Sequence, residues 1–357
     1  MEEKTKSKAL RIVLIVAAVL LAGAGGAYYY VNSVLSKIER IDKDSEVQVA
    51  SEFVKFLDAT DDEIEDSDKY TEPENFDVSA LGGEIEKVSN EPDLNNRSIR
   101  LVTDSNVTNI LLIGSDSRTS SMRGRSDTMI ILSLNRNTNC INMVSILRDT
   151  YVEIPGYDNN KLNAAYAYGG TSLLDRTIEH NIGVHIDYNV CINFEGFLNA
   201  FAQIGDLQIT LNSAEADYLN NTESWGIWNL SEGVNTLTPE QTLAYARMRY
   251  VGNADWERTS RQRRVLVSAF NKCRSQGLSA MISMAGNIAP YVATDMSNSQ
   301  MISLMTEVMN SGMSVNAMQS VPVSGMFQSM YIKGMSALVP DLDAVSRAVH
   351  RALYGVD

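Results

Sequence analysis

Three short apolar runs, rich in β-branched residues, begin at Val107 and are separated by polar segments. Their sequences are VTNILLIG, TMIILSLN and CINMVSIL. Apolar runs of this length between polar turn residues are typical of β-strands. The residues RNTN, which separate the second run from the third, predict a hairpin. The pattern therefore predicts a sheet that begins with three strands.

Helical and extended patterns alternate along the next part of the chain. KLNAAYAYGG and SLLDRTIEHNIG predict helices, the second closed by Gly183. NVCINF and LQITL predict strands on either side of the helix EGFLNAFAQIG. This alternation, from about residue 104 to 275, predicts an α/β fold built in layers. The segment that follows, to residue 357, is predicted to be helical and rich in methionine, with strands near VPVSG and MYIKG.

An uncharged apolar stretch, Ile12–Val31, lies near the N-terminus. A helix of this length rises about 30 Å, which is the thickness of a bilayer core. The basic segment MEEKTKSKALR before it favours a cytoplasmic location for residues 1–11. A cleaved signal peptide is the alternative, because GAGGA offers small residues, but the run is long for one and ends in tyrosines. We therefore predict one uncleaved anchor, which makes the chain a single-pass protein of the cell membrane.

The segment between the anchor and the first strand is strongly acidic. A helical pattern continues from Asn32 to about Asp44, and DATDDEIEDSD, EPENF and NEPDLNN follow. High charge with few apolar residues is typical of a solvated spacer or a small accessory element. The predicted organisation is a cytoplasmic tail (1–11), an anchor (12–31), an acidic extracytoplasmic spacer (32–104) and a domain at 105–357, whose motifs concentrate in 105–275.

The overall charge and the scarce histidines and cysteines narrow the possible functions. The formal net charge is −14, and since nucleic-acid binding needs a broad basic surface, nucleic acid is not expected as a partner. The three cysteines are far apart and lack metal-ligand spacing, which argues against a zinc site or a disulfide framework. The three histidines have no plausible catalytic partner nearby, which argues against a Ser-His-Asp or Cys-His enzyme.

Against this acidic background, six arginines and no lysine occur in residues 245–264, YARMRYVGNADWERTSRQRR. Guanidinium never deprotonates and binds carboxylate or phosphate through paired hydrogen bonds. The cluster therefore predicts local recognition of an anion. The alternative is a solvated helix with a charged face.

A second set of charged residues lies at the ends of the first three strands. Asp116 follows the first strand, Asp127 begins the second and Arg148 follows the third. If the second and third strands form the hairpin and the first runs antiparallel to the second, these three residues converge. Carboxylates beside arginines suit a hard divalent cation together with a phosphate. Ordinary loop charges would give the same pattern.

Helical periodicity places two residues of the arginine-rich segment inside the fold. The helix TLTPEQTLAYAR has a capping box and a first-turn proline and ends near Arg247. In the next helix the apolar stripe consists of Leu266, Ala269, Phe270 and Cys273. Steps of four residues continue this stripe to Gln262 and Arg258, whereas Arg263 and Arg264 are predicted to be surface charges. A buried arginine and glutamine need polar partners, which phosphate would provide.

The chain resembles the LytR-CpsA-Psr family of bacterial cell-envelope proteins. The resemblance rests on six motifs in this order: NILLIGSDSR, GRSDTMIILSLN, SILRDTYVEIPG, KLNAAYAYGG, LTPEQTLAYARMRY and DWERTSRQRR. It covers residues 105 to 275 closely and the following segment loosely. It implies a layered α-β-α core with a central mixed sheet, a long apolar groove for a polyprenyl chain, and an extracytoplasmic catalytic domain behind a single N-terminal anchor.

The resemblance also implies an activity. The family is understood to transfer anionic glycopolymers, such as teichoic acid or capsular polysaccharide, from a polyprenyl-pyrophosphate carrier to peptidoglycan. The expected protein is a Mg²⁺-dependent phosphotransferase of a Gram-positive envelope, and polyprenyl phosphate is its leaving group. The reaction would rely on positioning and charge neutralisation.

Individual roles follow from the matching motif positions. Asp116 and Asp127 match the residues that hold Mg²⁺. The expected pyrophosphate-binding residues are Arg125, Arg148, Lys161, Arg247, Arg249, Arg258 and Gln262. Of these, Arg148, Arg258 and Gln262 are expected to act in catalysis, together with Asp149, a candidate acceptor of the hydroxyl proton.

Two other functions would use the same residues. A hydrolase would cleave the polyprenyl-linked pyrophosphate with water, and added acceptor glycan distinguishes it from a transferase. A non-catalytic membrane protein would bind polyprenyl lipid or glycan and regulate wall assembly, and Mg²⁺-dependent turnover distinguishes that case. A cytoplasmic transcription factor fits least, because the folded domain is predicted on the other side of the membrane.

Overall fold

The computed structural model describes residues 29–43, 86–87, 92, 94, 99–115, 124–221 and 228–356. The strands are β1 (Glu39–Arg40), β2 (Glu86–Lys87), β3 (Val107–Ser115), β4 (Ser126–Asn135), β5 (Cys140–Ile146), β6 (Tyr151–Val152), β7 (Asn160–Lys161), β8 (Tyr188–Asn193), β9 (Leu207–Leu211), β10 (Gly233–Leu237), β11 (Val292–Thr294), β12 (Ser314–Val321), β13 (Phe327–Ile332) and β14 (Met335–Pro340). The helices are α1 (Leu162–Ile182), α2 (Phe194–Ile204), α3 (Ser213–Asn221), α4 (Pro239–Arg247), α5 (Ala254–Ser275), α6 (Leu278–Ile288), α7 (Asn298–Ser311) and α8 (Leu342–Tyr354). Residues 29–35 form a further short helix.

The main sheet is mixed, as predicted. Its seven strands follow the order β1-β11-β8-β3-β4-β5-β12. β3, β4 and β5 are antiparallel neighbours, whereas β8 runs parallel to β3 and β12 runs parallel to β5. The predicted hairpin between β4 and β5 is confirmed. The segment after residue 275 contributes β11 and β12, and β12 ends where the sequence predicts a strand at VPVSG to begin.

Alternate side chains of each strand face two different helical layers. On one face Leu111, Ile113 and Ile131 are completely covered and pack with α1 and α8. On the other face Ile110 and Leu134 pack with side chains of α5 and α7. This alternation explains the apolar composition of the strands, because both of their faces are covered. The predicted α-β-α layering is confirmed.

A smaller apolar cluster lies beside the main sheet and supports the arginine-rich segment. It joins the hairpin β9–β10, helices α3 and α4, and the buried residues Val265 and Ala269 of α5. Helix α4 starts at a capping box between Thr238 and Gln241 and ends at Arg247, as predicted. The loop from α4 leads to the start of α5, where Asp255 lies 3.7 Å from Arg148, just after β5, and the indole N–H of Trp256 donates to the Pro322 carbonyl, just after β12.

Two glycines divide α1 into the two helices that the sequence predicts. Gly169 and Gly170 have non-helical backbone angles, and φ of Gly170 is 62°. A Cβ atom on Gly169 would lie 2.7 Å from Cβ of Leu173, which is too close for any side chain. The second half ends at Gly183 in the left-handed conformation, as predicted. The first half of α1 lies next to the end of β5, where the backbone N–H of Asn163 donates to the Arg148 carbonyl at 3.3 Å.

The first part of the predicted spacer, up to residue 43, packs on the main sheet. The helix that the sequence predicts to continue to about Asp44 ends at residue 35, so that prediction is wrong. The chain instead forms β1, which pairs with β11. Leu35 and Ile38 are buried against Met296 and Met301. The strand pairing and this apolar contact stabilise the extended form, which isolated helical periodicity cannot reveal.

Several predictions concern residues outside the described ranges. These are the cytoplasmic tail, most of the anchor, most of the acidic spacer, and Asp116. Among the helices that the structure does describe, none combines the length and the apolar character needed to cross a bilayer.

A buried polar cluster ties the segment at residues 29–43 to the sheet. Nζ of Lys43 lies 2.6 Å from Oδ2 of Asp175 and 2.9 Å from Oδ2 of Asp295. The side-chain amide of Asn189 donates to Oδ2 of both aspartates, at 2.8 and 3.2 Å. Burial raises the pKa of Asp175 to about 6, although Lys43 and Asn189 act in the opposite direction. One partly exposed lysine thus faces two largely buried carboxylates.

We expect the free energy of unfolding to depend on pH through the ionisation of Asp175. The pKa of this carboxyl is higher in the folded protein than in the unfolded chain, so its favourable contribution is complete below about pH 4 and is lost as the pH rises through about 6. Asp175→Asn should therefore gain stability relative to wild type between pH 4.5 and 7.5, by up to about 2 kcal/mol. Urea unfolding at both pH values measures this difference. Asp217→Asn, at an exposed carboxylate, is the control, and an Asp175→Asn profile parallel to that of wild type would contradict the prediction.

Candidate active site

The register of the hairpin brings Asp127 and Arg148 together. Ile130 pairs with Ser145 across β4 and β5, which places the start of one strand beside the end of the other. Nη1 of Arg148 donates to Oδ1 of Asp127 at 2.6 Å, so the predicted convergence of these two residues is confirmed. Ser115, the residue before Asp116, pairs with Ser126, the residue before Asp127. Asp116 itself lies outside the described residues.

Arg148 is the centre of a wider charged cluster. Its Nε atom lies 3.7 Å from Oδ2 of Asp149 and 3.7 Å from Oδ2 of Asp255. Nζ of Lys161, at the start of α1, lies 3.0 Å from Oδ1 of Asp149. The end of β5, the start of α1 and the start of α5 therefore meet at this guanidinium. Three carboxylates surround it, so the pKa of Arg148 lies above its ordinary value despite burial, which acts to lower it.

Arg258 is buried and carries unused hydrogen-bonding capacity. Only 5% of the residue is exposed, and its Nη2 lies 3.2 Å from Oδ1 of Asp255. Burial lowers the pKa of Arg258 to about 10, and repulsion from Arg249 and Arg148 adds to this effect, while Asp255 opposes it. Within the described part of the chain, Nε of Arg258 and Oε1 of Gln262 have no hydrogen-bond partner. Buried polar atoms of this kind are costly unless a ligand satisfies them.

Asp127 remains ionised in this environment. Burial acts to raise its pKa, but the charges of Arg148, Arg258 and Arg249 together hold the pKa of Asp127 below its usual range. Arg249, which is half-buried in the loop after α4, therefore acts electrostatically on the same site as Arg148 and Arg258. The cluster therefore holds a carboxylate that accepts hydrogen bonds or binds a cation at neutral pH.

The remaining predicted site residues, Arg125 and Arg247, lie on the elements that lead into this cluster. Arg125 is half-buried two residues before Asp127, and Arg247 is exposed at the last turn of α4. A cation at that end of a helix is favourable by itself. Contact of Arg125 and Arg247 with a pyrophosphate stays a prediction.

The structure corrects the predicted position of Arg263 and Arg264. Arg263 is not a surface charge, because only 4% of it is exposed and its Nη1 donates to the hydroxyl oxygens of Ser145 and Ser320. Arg264 is half-buried and lies over the ring of Tyr245. The reason is that α5 lies between the main sheet and the smaller cluster, so two of its faces are covered. The most buried apolar residue of the predicted stripe region is accordingly Val265, while Leu266 is half-buried.

Two functional features were missed by reading the sequence. One is Asp255, which contacts both Arg148 and Arg258; its spacing of three residues from Arg258 on a helix was the available signal. The other is a buried ion pair in which Nε of Arg261 lies 2.9 Å from Oε1 of Glu215. Arg261 also donates to the carbonyl oxygens of Met248 and Val251, at 2.8 and 2.5 Å. It therefore fixes the loop that carries Arg249.

This arrangement suits a doubly anionic ligand. Four cations, Arg148, Lys161, Arg249 and Arg258, surround three carboxylates, and planar guanidinium groups match phosphate oxygens two at a time.

Comparison with known proteins identifies the protein family. The model of the LytR_cpsA_psr family matches residues 60–351. The chain belongs to the LytR_cpsA_psr family. The predicted family resemblance is therefore confirmed.

The chain is similar to proteins that are named as transferases. The polyisoprenyl-teichoic acid–peptidoglycan teichoic acid transferase TagU of Oceanobacillus iheyensis is 34% identical over 240 residues, covering 64% of this chain and 71% of TagU. The protein with the same name from Bacillus mycoides is 31% identical over 237 residues, covering 65% of this chain and 75% of that protein.

Solved structures agree with this assignment. The structure of TagT bound to LI-WTA matches 76% of this chain and all of TagT, with a TM-score of 0.58 and 25% identity. The crystal structure of TagT from B. subtilis matches 71% of this chain and 92% of TagT, with a TM-score of 0.56 and 26% identity. The α/β fold with a mixed central sheet is thus the fold of the family.

Proposed function

We propose that the protein is a membrane-anchored phosphotransferase that attaches an anionic glycopolymer, of the teichoic acid or capsular polysaccharide type, to peptidoglycan. The donor is the polymer on a polyprenyl-pyrophosphate carrier, and polyprenyl phosphate is released. The main support is the pair of unsatisfied buried atoms, Nε of Arg258 and Oε1 of Gln262, beside the Arg148–Asp127 pair. A phosphate oxygen would accept from Arg258, and a sugar hydroxyl would donate to Gln262. The names of the related TagU proteins agree with this substrate class.

In the proposed reaction, a hydroxyl of the acceptor glycan attacks the phosphorus of the sugar-linked phosphate. A new P–O bond forms, and the bond to polyprenyl phosphate breaks. Arg148, Arg249 and Arg258 neutralise the phosphate oxygens, and the buried setting strengthens these interactions. We assign the hydroxyl proton to Asp149, whose carboxylate Lys161 and Arg148 hold at 3.0 and 3.7 Å. Leu338 fixes the same residue from β14 by donating its backbone N–H to the Asp149 carbonyl at 2.9 Å.

Mg²⁺ is the cofactor that we propose, with Asp127 and Asp116 as its protein ligands. Asp127 fits this role because it is ionised, and Mg²⁺ commonly uses one or two carboxylates with water and substrate phosphate. Among the described residues no group of three or more His, Cys, Asp or Glu side chains is placed to hold a metal, so phosphate oxygens would complete the shell. The bound ion would supply charge neutralisation at the pyrophosphate.

We assign the polyprenyl chain to the face of the sheet covered by α5 and α7. The apolar side chains Leu112, Leu132 and Val190 lie between this face and the helices but remain partly accessible. On the opposite face the equivalent residues Leu111 and Ile131 are completely buried. Because these side chains remain partly accessible, the sheet and the helices α5 and α7 leave room between them for an apolar chain.

A transfer assay tests the proposal. The full chain in detergent is incubated with a synthetic sugar-pyrophosphoryl-polyprenyl lipid, Mg²⁺ and a peptidoglycan oligomer. Mass spectrometry follows polyprenyl phosphate and the sugar phosphate coupled to the glycan. We expect a coupled product that a chelator abolishes and that excess Mg²⁺ restores. Lipid release without coupling would identify a hydrolase, and tight lipid binding without release would identify a binding protein; either result would overturn the proposal.

A further inference from the structure

Arg263 is a buried cation without an ionic partner. Only 4% of the residue is exposed, and it forms no ion pair within the described part of the chain. The carboxylate of Glu257 acts on it electrostatically but forms its own ion pair with Arg264, at 3.4 Å. Burial lowers the pKa of Arg263 to about 10, Arg264 adds to this effect and Glu257 opposes it, so the guanidinium is still charged at neutral pH. A buried charge of this kind is costly unless an anion compensates it.

The hydrogen bonds of Arg263 leave part of its guanidinium unused. Nη1 donates to the hydroxyl oxygens of Ser145 and Ser320, the latter at 3.0 Å. The Ser320 hydroxyl also lies 2.8 Å from that of Thr259. These partners are neutral, and the buried Nε atom of Arg263 has no partner among the residues that the structure describes. Since a guanidinium carries five N–H donors, Arg263 has donors left for an oxyanion while it keeps both serines.

On strand β5, Arg263 contacts a position between the charged cluster and the apolar side chains assigned to the lipid. Alternate residues of a strand share a face, so Ser145 lies on the same face as Ile141. Ile141 belongs to the apolar layer under α5 and α7. Arg148 of the charged cluster follows Ser145 by three residues. The Arg263 contact therefore lies on the path from the apolar layer to the charged cluster.

The order along helix α5 is the same. Residues seven apart share a face of a helix, so Arg263 lies on the face of Phe270, which packs against that apolar layer. In the other direction, Arg258 of the charged cluster precedes Arg263 by five residues, which is about 7.5 Å along the helix axis. Both elements thus place Arg263 between the arginines assigned to the pyrophosphate and the surface assigned to the lipid.

We propose that Arg263 is a further substrate-binding residue, which donates to the phosphate carried by the polyprenyl chain. This inference rests on the proposed transferase function. The donor has one phosphorus joined to the sugar and one joined to the lipid, and a cation between the charged cluster and the lipid surface meets the second. When the hydroxyl attacks, the bond from the sugar-linked phosphorus to the bridging oxygen breaks, and its electron pair stays on that oxygen. Arg263 neutralises the charge that the departing polyprenyl phosphate gains.

Binding of farnesyl phosphate and of farnesol, a short polyprenyl phosphate and its alcohol, tests this assignment without turnover. Equilibrium dialysis with the full chain in detergent gives the ratio of the two dissociation constants, which isolates the phosphate. For Arg263→Met we expect the preference for the phosphate to fall at least about tenfold, with the affinity for farnesol unchanged. Arg263→Lys keeps the charge and should restore part of the preference. Arg274→Met, at a half-buried arginine of α5 that donates to the Met313 carbonyl, is the matched control and should keep the wild-type ratio.

Two further variants separate phosphate binding from a structural link between α5 and the sheet. Arg263→Gln keeps a donor for the serines without the charge, and it should lose the phosphate preference as Arg263→Met does. Ser320→Ala removes one strand partner of Arg263 but leaves the guanidinium, so the preference should stay within about twofold of wild type. A merely structural Arg263 would change the affinities for the phosphate and the alcohol by the same factor in every variant, and that result would overturn the proposal.

The transfer assay separates this inference from the function on which it rests. If wild type forms no coupled product, the transferase function fails, whatever the binding ratios are. If wild type couples and Arg263→Met keeps both the phosphate preference and the wild-type transfer rate, the Arg263 assignment fails alone. With the assignment correct, Arg263→Met slows transfer at least about tenfold and leaves KM for the acceptor glycan unchanged. Circular dichroism and the thermal midpoint establish that each variant is folded.

Discussion

Arg258→Ala is expected to reduce glycan transfer by at least about a thousandfold while the protein remains folded. Arg258 is the buried cation of the site, and its unsatisfied Nε shows capacity for an anion that no described residue uses. Removing it withdraws a preorganised donor from the developing charge on phosphate. Asp127→Ala should have an effect of similar size, because it removes the partner of Arg148 and a proposed Mg²⁺ ligand.

Rate measurements under saturating donor and acceptor test this expectation. Arg258→Lys keeps the positive charge but loses the planar fork, so it should recover only a small part of the activity. Arg176→Ala, at an exposed arginine of α1, is the control for loss of a guanidinium and should leave the rate unchanged. Undiminished transfer by both Arg258→Ala and Asp127→Ala would show that this cluster is not the catalytic centre.

The second large effect is expected at the buried ion pair of Glu215 and Arg261. Glu215 is completely buried and Arg261 is 1% exposed. Glu215→Ala leaves the guanidinium of Arg261 buried without its carboxylate, which typically costs about 3–5 kcal/mol of folding free energy. Because Arg261 also holds the carbonyls of Met248 and Val251, the loop that carries Arg249 should loosen, and transfer should fall as well.

Urea unfolding of single and double variants measures this coupling. The double variant Glu215→Leu with Arg261→Met replaces both charges by apolar groups of similar size, and it should regain much of the lost stability. It should not regain the transfer rate, since the loop carbonyls remain without their donor. Equal stability of wild type and Glu215→Ala would contradict the assigned role of the pair.

Sequence patterns predict those parts of the site that depend on local periodicity. The register of β4 against β5 follows from a short hairpin, so the contact of Asp127 with Arg148 could be deduced from strand order. Helical spacing likewise predicts that Arg258 is buried. Both inferences need only the geometry of one element or of one turn.

Features that depend on distant packing were not predictable. The sequence pattern reveals only one covered face of α5 and therefore places Arg263 at the surface. The second face is covered by β5 and β12, through Ser145 and Ser320, which are far from α5 along the chain. Glu215 lies 46 residues before Arg261, and an isolated glutamate gives no sign of burial in a sequence. The prediction of a helix up to about Asp44 is wrong for the same reason, because pairing with β11 holds part of this segment as a strand.

The late position of β12 and β14 in the chain has a consequence for when activity can begin. β12 supplies the Val321 carbonyl that fixes Leu147 and the Ser320 hydroxyl that binds Arg263, and β14 supplies the N–H that fixes Asp149. A chain that ends after α5 has every proposed site residue but lacks these supports. The positions of Arg148 and Asp149 therefore depend on residues 314–340, and the charged cluster can assemble only when the last strands of the domain have folded.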